Sequence, residues 1–386
     1  MIPSTAAARY RVALGVLLGL AASAALLSVF DGFGGGNLAA TLRGPLLSDC
    51  EGPLRELAIH YVSEAGEVVG PTYGDFLRQL PTEVTVYVVC PDRAAFEELR
   101  NRVGAIQCVL SPVVVGHPIT VWSRDRWLAL APAGEGDATT LLCPRGELGV
   151  DVWPARAGDQ RVGADLAAAL SPNVTSLRSD LYFDGGDFVA DGQTAFVTPA
   201  VLLRNLQQTV QTREELLERL SALLKRHVVL LNDAPDHHAG MYMMAVGNRT
   251  ILVGDPAAAK RLLAESGDED LANLCPKQGP DFGEATIAKF DAVAEQCRAA
   301  GYRVIRIPVV PGCDGRTYVT YLNAILDQRG GRRTVYMPVY SRAKVLNRAA
   351  AEVWSRLGYE VRTVNCDACY PHFGSLHCLV NVVRRD

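Results

Sequence analysis

The sequence predicts an α/β fold built from repeated ββαβ units, a ring of near five-fold pseudo-symmetry preceded by an N-terminal apolar helix. Three observations lead there. The order strand, strand, helix, strand recurs along the body, with apolar residues alternating at a period of two in the strands and at helical spacing between them. No low-complexity linker or long charge block interrupts the chain after residue 50. An uncharged apolar stretch at the N-terminus is set apart from the rest by glycines. An ordinary α/β sheet of irregular strand order remains the alternative on pattern alone.

Taken in order, the first element is residues 1–36. Arg9 and Arg11 precede the apolar run from Val12 to Phe30, and Asp31 with Gly32, Gly34, Gly35 and Gly36 forms a flexible exit. The run matches the length of a bilayer span, which favours an uncleaved signal-anchor helix. Ala22-Ser23-Ala24 keeps a cleaved signal peptide open. Either way the body, residues 50–386, is expected outside the cytoplasm, anchored to a membrane or secreted. At 386 residues, 49% hydrophobic and 21% charged with a net charge of -4, the chain is globular and carries no nucleic-acid footprint. Ten cysteines in such a compartment could pair, and Cys366-Asp367-Ala368-Cys369 is the best local pair, readable as a disulfide, a redox switch or half a zinc site.

The last unit is the clearest. Tyr318 to Leu326 and Thr334 to Val339 read as strands, Ser341 as the cap of a helix running to Leu357 and stopped by Gly358, and Glu360 to Val364 as the third strand. In another copy Leu181 to Ala190 and Thr194 to Thr198 are strands, Thr212 with Glu215 makes a capping box, and Val228 to Leu231 is buried. Between them lie Met241 to Val246, Thr250 to Val253, a helix across Ala285 to Ala300 and Arg303 to Pro308. Two fainter copies come earlier. One has Ile119 to Leu130, Thr139 to Leu142 and a helix near Val162 to Leu170; the other has Leu57 to Val62, Val84 to Cys90 and a helix from Asp92 to Val103.

In a ring, polar residues on the first strand of each unit converge. Gly374-Ser375-Leu376-His377-Cys378 reads as a turn feeding a strand to Val383, which places Cys378 at a strand mouth and points His377 to the opposite face. A thiolate there is a nucleophile, and its proton partner must come from elsewhere in the chain. Trp122-Ser123-Arg124-Asp125-Arg126-Trp127 sets three charges in an apolar strand. Phe183-Asp184-Gly185-Gly186-Asp187-Phe188 sets two carboxylates around a glycine pair, and Asp236-His237-His238 delivers histidines just before a strand. Each alone reads equally well as an ion pair, a turn or a loop cap. Together with a thiol they suit a guanidinium, a planar permanent cation that carboxylates grip bidentately.

These pieces resemble the guanidine-modifying (pentein) superfamily, in its agmatine deiminase and peptidyl-arginine deiminase branch. The resemblance covers about residues 50 to 386. It is carried by Trp122-x-Arg124-Asp125, Asp184-Gly185-Gly186 where relatives often have Glu-Gly-Gly, and His238 before a strand ending Leu252-Val253-Gly254-Asp255. Thr320-Tyr321-Leu322-Asn323 and Gly374-Ser375-Leu376-His377-Cys378 complete it. It implies a five-bladed propeller and no metal or organic cofactor. It also implies a hydrolase in which Cys378 attacks the guanidinium carbon, His238 moves the protons, and Asp125 and Asp184 hold the cation. Trp122, Asp187 and Asn323 complete the substrate site. The partner would be a small guanidino molecule or the arginine side chain of a peptide.

The sequence departs from the family at one position. Relatives carry His-x-Asp, and here the stretch is His238-Ala239-Gly240. Asp187 or Asp236 would have to replace the missing acid. Without it, a guanidine-binding relative that does not turn over is the second reading. An amidinotransferase is a nearer rival, and a zinc site of Cys366, Cys369, His372 and His237 is the outsider.

Overall fold

Strands pair in one repeated order through the computed structural model, which describes residues 44–147, 153–266 and 274–386. The apolar run Val12 to Phe30 and the boundary at residue 36 lie outside the described residues. Among the described residues no helix is long and apolar enough to cross a membrane.

The fold is mixed α/β. Strand β1 (Leu54–His60) is joined through helix α1 (Gly66–Leu77) to β2 (Thr85–Cys90), its parallel neighbour. Helix α2 (Arg93–Val103), capped by Asp92, which accepts from the Ala95 amide at 2.9 Å, leads to β3 (Val109–Val114). The next sheet pairs β4 (Leu128–Leu130) antiparallel with β5 (Thr139–Cys143). After α3 (Pro154–Ala169), β6 (Val174–Arg178) runs parallel to β5. The order recurs in β7 (Phe188–Ala190), β8 (Thr194–Val197) and β9 (His227–Leu230), with α4 (Pro199–Asn205) and α5 (Arg213–Leu224) before the last strand. It recurs in β10 (Met243–Ala245), β11 (Thr250–Asp255) and β12 (Arg303–Pro308), around α6 (Pro256–Ser266) and α7 (Glu284–Ala299). A short hairpin of β13 (Val310–Pro311) and β14 (Tyr318–Val319) precedes a further copy: β15 (Ile325–Arg329), β16 (Arg332–Val339), α8 (Lys344–Arg356) and β17 (Glu360–Asn365).

The last strand, β18 (Val380–Arg385), follows the one-turn helix α9 (Leu376–Leu379) and pairs antiparallel with β1. The first sheet therefore takes its antiparallel strand from the opposite end of the chain. The sequence pattern assigned that role to Leu57–Val62 itself, because periodicity reports which residues are apolar and not which distant strand they meet.

The middle strand β11 is covered on both faces, and its composition follows from that. In β11, Thr250, Ile251, Leu252, Val253 and Gly254 are all buried. One cover is α7, whose Phe290, Val293, Ala294 and Cys297 recur at helical spacing and are buried against β11 and β12. Full burial of side chains the size of Phe290 and Val293 is worth about 1.5–3 kcal/mol each.

Several local expectations change. Thr212 does cap α5, accepting from the Glu215 amide at 3.1 Å, but Glu215 reaches back to the Gln211 amide at 2.7 Å instead of closing the box on Thr212. Ser341 is not a cap. Its amide is held by Asp367 at 2.9 Å, and α8 starts after Ala343 with no side-chain cap. Tyr318 to Leu326 is not continuous either, since bends at 321–323 separate β14 from β15.

The larger correction concerns the inner strands. Each is short because the residues before it coil. One-turn 3-10 helices Ser123–Asp125, Gly185–Asp187 and Ala239–Met241 precede β4, β7 and β10, and α9 precedes β18. The stretches Trp122 to Trp127, Leu181 to Ala190, Met241 to Val246 and Gly374 to Val383 are turns feeding strands. A period of two could not detect this at Cys378, because Leu376, His377, Cys378 and Leu379 are all buried and no solvent face exists to break the pattern.

Candidate active site

These turns bring the polar residues together. The 3-10 turns at 123–125, 185–187 and 239–241 contact one another in succession, and α9 packs on the first. Glycines make the close approach possible. A Cβ at Gly186 would sit 2.5 Å from His238 Nδ1, and one at Gly374 would overlap the Trp122 ring and lie 3.1 Å from Cys378 Cβ. Trp122 thus fills the space that Gly374 leaves above the thiol.

Cys378 is 3% exposed. Its backbone amide donates to Asn323 Oδ1 at 3.2 Å, and the His377 amide donates to the Asn323 carbonyl at 3.1 Å, so Asn323 clamps the α9 turn from two sides. The Cys378 side chain lies close enough to His238 to favour the imidazolium, and its sulfur lies 3.9 Å from Met241 Sδ. On the other side, His238 Nε2 stands 3.7 Å from Asp125 Oδ1. His377 points away from the thiol, towards Asp49 at 3.8 Å.

Electrostatics divides these groups. Burial disfavours an imidazolium at His238, but Asp125, the Cys378 contact and Asp187 outweigh it and push the pKa up to about 10. Asp125 is raised, first by burial and then by the neighbouring Asp184, against the pull of His238 and Arg126. Its Oδ2 takes Arg126 at 3.2 Å, while Oδ1 and the His238 Nδ1 are both without a hydrogen-bond partner.

Asp125, Asp184, Asp187, His237 and His238 line a cavity of about 400 Å³ together with Arg156, Arg204 and Arg316. The arginines were not anticipated. Asp184 meets Arg156 at 3.0 Å and Arg204 at 2.8 Å. Burial opposes its ionisation, but Arg204, Arg156 and His238 hold its carboxyl well below the usual range. Asp187 is tied into its own turn: it accepts from the Asp184 amide and Thr198 at 2.8 and 2.9 Å and pairs with Arg204. Asp236 sits in an exposed pair with Lys289 at 3.4 Å. Asp187 lines the cavity and Asp236 does not. Trp122 borders a second, larger cavity of about 1200 Å³, which shares Arg156 with the first.

All ten thiols are free, with Cys366 and Cys369 hydrogen-bonded to each other. Among the described residues no three His, Cys, Asp or Glu side chains converge on a metal geometry, so Cys366, Cys369, His372 and His237 do not form the zinc site of the outsider reading. Arg156 and Arg204 gave no signal in the sequence, being single arginines on helices whose approach to the turns is purely tertiary.

With the geometry in hand, comparisons place the chain. Residues 59–382 match the Porphyromonas-type peptidyl-arginine deiminase family. No curated protein matches the sequence. The agmatine deiminase of C. jejuni superposes with a TM-score of 0.61 at 15% identity, covering 88% of this chain and 95% of that one. An agmatine deiminase of Enterococcus faecalis superposes with a TM-score of 0.64 at 14% identity, covering 89% and 96%. At such identities the superpositions speak for the fold.

Proposed function

We propose that the chain, which belongs to the Porphyromonas-type peptidyl-arginine deiminase family of the guanidine-modifying (pentein) superfamily, is a cysteine-dependent deiminase of a guanidino compound. One arrangement carries the reading: His238 Nε2 stands 3.7 Å from Asp125 Oδ1, and both that carboxylate and the Cys378 side chain favour its protonated form. Asp125 and Asp184 receive the substrate cation. The Cys378 thiolate adds to the guanidinium carbon, and His238 gives its proton to the departing nitrogen, which leaves as ammonia. The S-alkylthiouronium that remains is attacked by water. His238 takes the water's proton, the C–S bond breaks, and a ureido product and the free thiolate result. Asn323 keeps the α9 turn in place through both steps.

The same reading takes the five sheets of three or four strands as blades about a pseudo-five-fold axis near the 3-10 turns. It also takes Val12 to Phe30 as the feature that places the body outside the cytoplasm.

The test is incubation of a body beginning near Asn37 with agmatine, free arginine and an arginine peptide, measuring ammonia and ureido product. Turnover of at least one, abolished in Cys378→Ala with an unchanged melt, is expected. Turnover that survives Cys378→Ala would overturn the mechanism. A guanidine-binding protein without turnover is the second reading, favoured by Gly240 and by the arginines already on Asp184.

A further inference from the structure

We propose that His237 is a positioning residue of this site, holding the His238 ring and the Phe373–Gly374 turn in the register that keeps His238 on the Cys378 thiol. The inference rests on the deiminase reading but on separate observations. His237 has φ +78°, a conformation that favours glycine, and yet carries an imidazole. That ring stacks on His238 with centroids 4.5 Å apart and planes 26° from parallel. Its Nε2 lies 2.5 Å from the carbonyl oxygen of Phe373, a second non-glycine residue at positive φ. The next residue, Gly374, is the one that packs on Trp122 and Cys378. A single side chain therefore joins the proton-moving histidine to the loop that delivers the nucleophile.

The protonation states fit. Burial, then the neighbouring His238, hold the His237 pKa down to about 3. A carbonyl only accepts, so the neutral ring carries its proton on Nε2 and donates to Phe373. A neutral face can lie against the His238 imidazolium, where a second cation would repel it. The other charged groups bearing on the pair are Asp125, Asp184, Asp187 and Cys378, with Arg316 acting on His237. Of these, Cys378 itself packs on Gly374 and Arg316 lies over the Phe373 ring at 5.4 Å, but the hydrogen bond to the Phe373 carbonyl comes from His237.

Backbone strain makes the test discriminating. Glycine adopts the local conformation freely, so His237→Gly should melt at or above the wild-type temperature. Its Cys378 should nevertheless react with iodoacetamide about ten- to a hundredfold more slowly at neutral pH, with a displaced pH midpoint. His237→Gln restores a donor to the Phe373 carbonyl and should recover most of the rate without raising the melting temperature. A His237→Gly protein with wild-type alkylation rate and pH midpoint overturns the proposal, as does a loss that follows melting temperature equally in both variants. Alkylation does not require turnover. If the wild type deiminates nothing while His237→Gly still slows alkylation, the deiminase reading fails and the positioning role stands.

Discussion

Restoring an acid at Gly240 tests the site where the chain departs from its family. Gly240 lies in the 3-10 turn Ala239–Met241 and is not among the residues at positive φ, so aspartate meets no backbone strain there. A Cβ at this position would sit 3.2 Å from Asn323 Nδ2 and 3.8 Å from His377 Nδ1. The first contact is tight, and the Asn323 amide must yield by a few tenths of an ångström. The new carboxylate then starts beside the Asn323 amide, whose Oδ1 holds the Cys378 backbone. One charge-assisted hydrogen bond to a substrate guanidinium is worth about 1.5–3 kcal/mol, which converts to roughly ten- to a hundredfold in kcat/KM. Asp187 is held by Arg204, Thr198 and the Asp184 amide, and Asp236 is exposed beside Lys289. Gly240→Asp should therefore raise kcat/KM in an ammonia-release assay on the substrate that the wild type prefers. A fall in rate at unchanged melting temperature would refute the argument, showing that the site is complete and the added carboxylate crowds it. If both proteins are inert while the wild type binds a guanidine, the binding-protein reading stands.

Other outcomes follow from the same geometry. His238 has a folded pKa near 10 against about 6.5 unfolded, so its contribution to stability is complete below pH 6.5 and is lost as pH rises through 10. In Asp125→Asn, burial is left opposed by weaker partners. The melting-temperature difference between wild type and variant should shrink between pH 7 and 10, and a difference that grows would contradict the assignment. Arg156→Ala frees one Asp184 oxygen for substrate, and KM should fall by about three- to tenfold, the worth of one modest charged contact; a rise in KM would show that Arg156 helps bind it. Cys366→Ser should lower the melting temperature more than kcat, because Cys366 is fully buried and its carbonyl holds the Cys369 and Tyr370 amides of the turn that follows. Equal loss of kcat in Cys366→Ser and Cys378→Ala would contradict that separation.

That Cys378, His238, Asp125 and Asp184 would lie in one region was legible because charged or reactive groups recur at the same place in successive units, just ahead of an apolar strand. That recurrence survives a wrong local structure. All four were read at strand mouths or in strands, and they stand on or beside helical turns, yet turn and strand deliver them to the same region. The sheet order was legible for the same reason. What escaped was whatever depends on distant partners. The pairing of β18 with β1 joins the two ends of the body, and Arg156 and Arg204 come from helices that carry no mark of what they approach. His237 could be read as a polar residue beside His238, but its positive φ and the stack exist only in three dimensions.

Asp125 and Asp184 are pushed in opposite directions, and the causes differ. Asp184 is flanked by Arg156 and Arg204, which keep it ionised whatever happens at His238. It offers fixed negative charge and no proton chemistry. Asp125 has one oxygen on Arg126 and the other bare, facing His238, so its charge is balanced largely by the imidazolium. When His238 gives up its proton, Asp125 keeps Arg126 on Oδ2 but loses the cation that faces Oδ1, and on the proposed deiminase reading a substrate guanidinium there would replace it. On the same reading, substrate binding and proton release from His238 would be linked through one carboxylate oxygen, because a cation that compensates Asp125 lowers the cost of deprotonating His238.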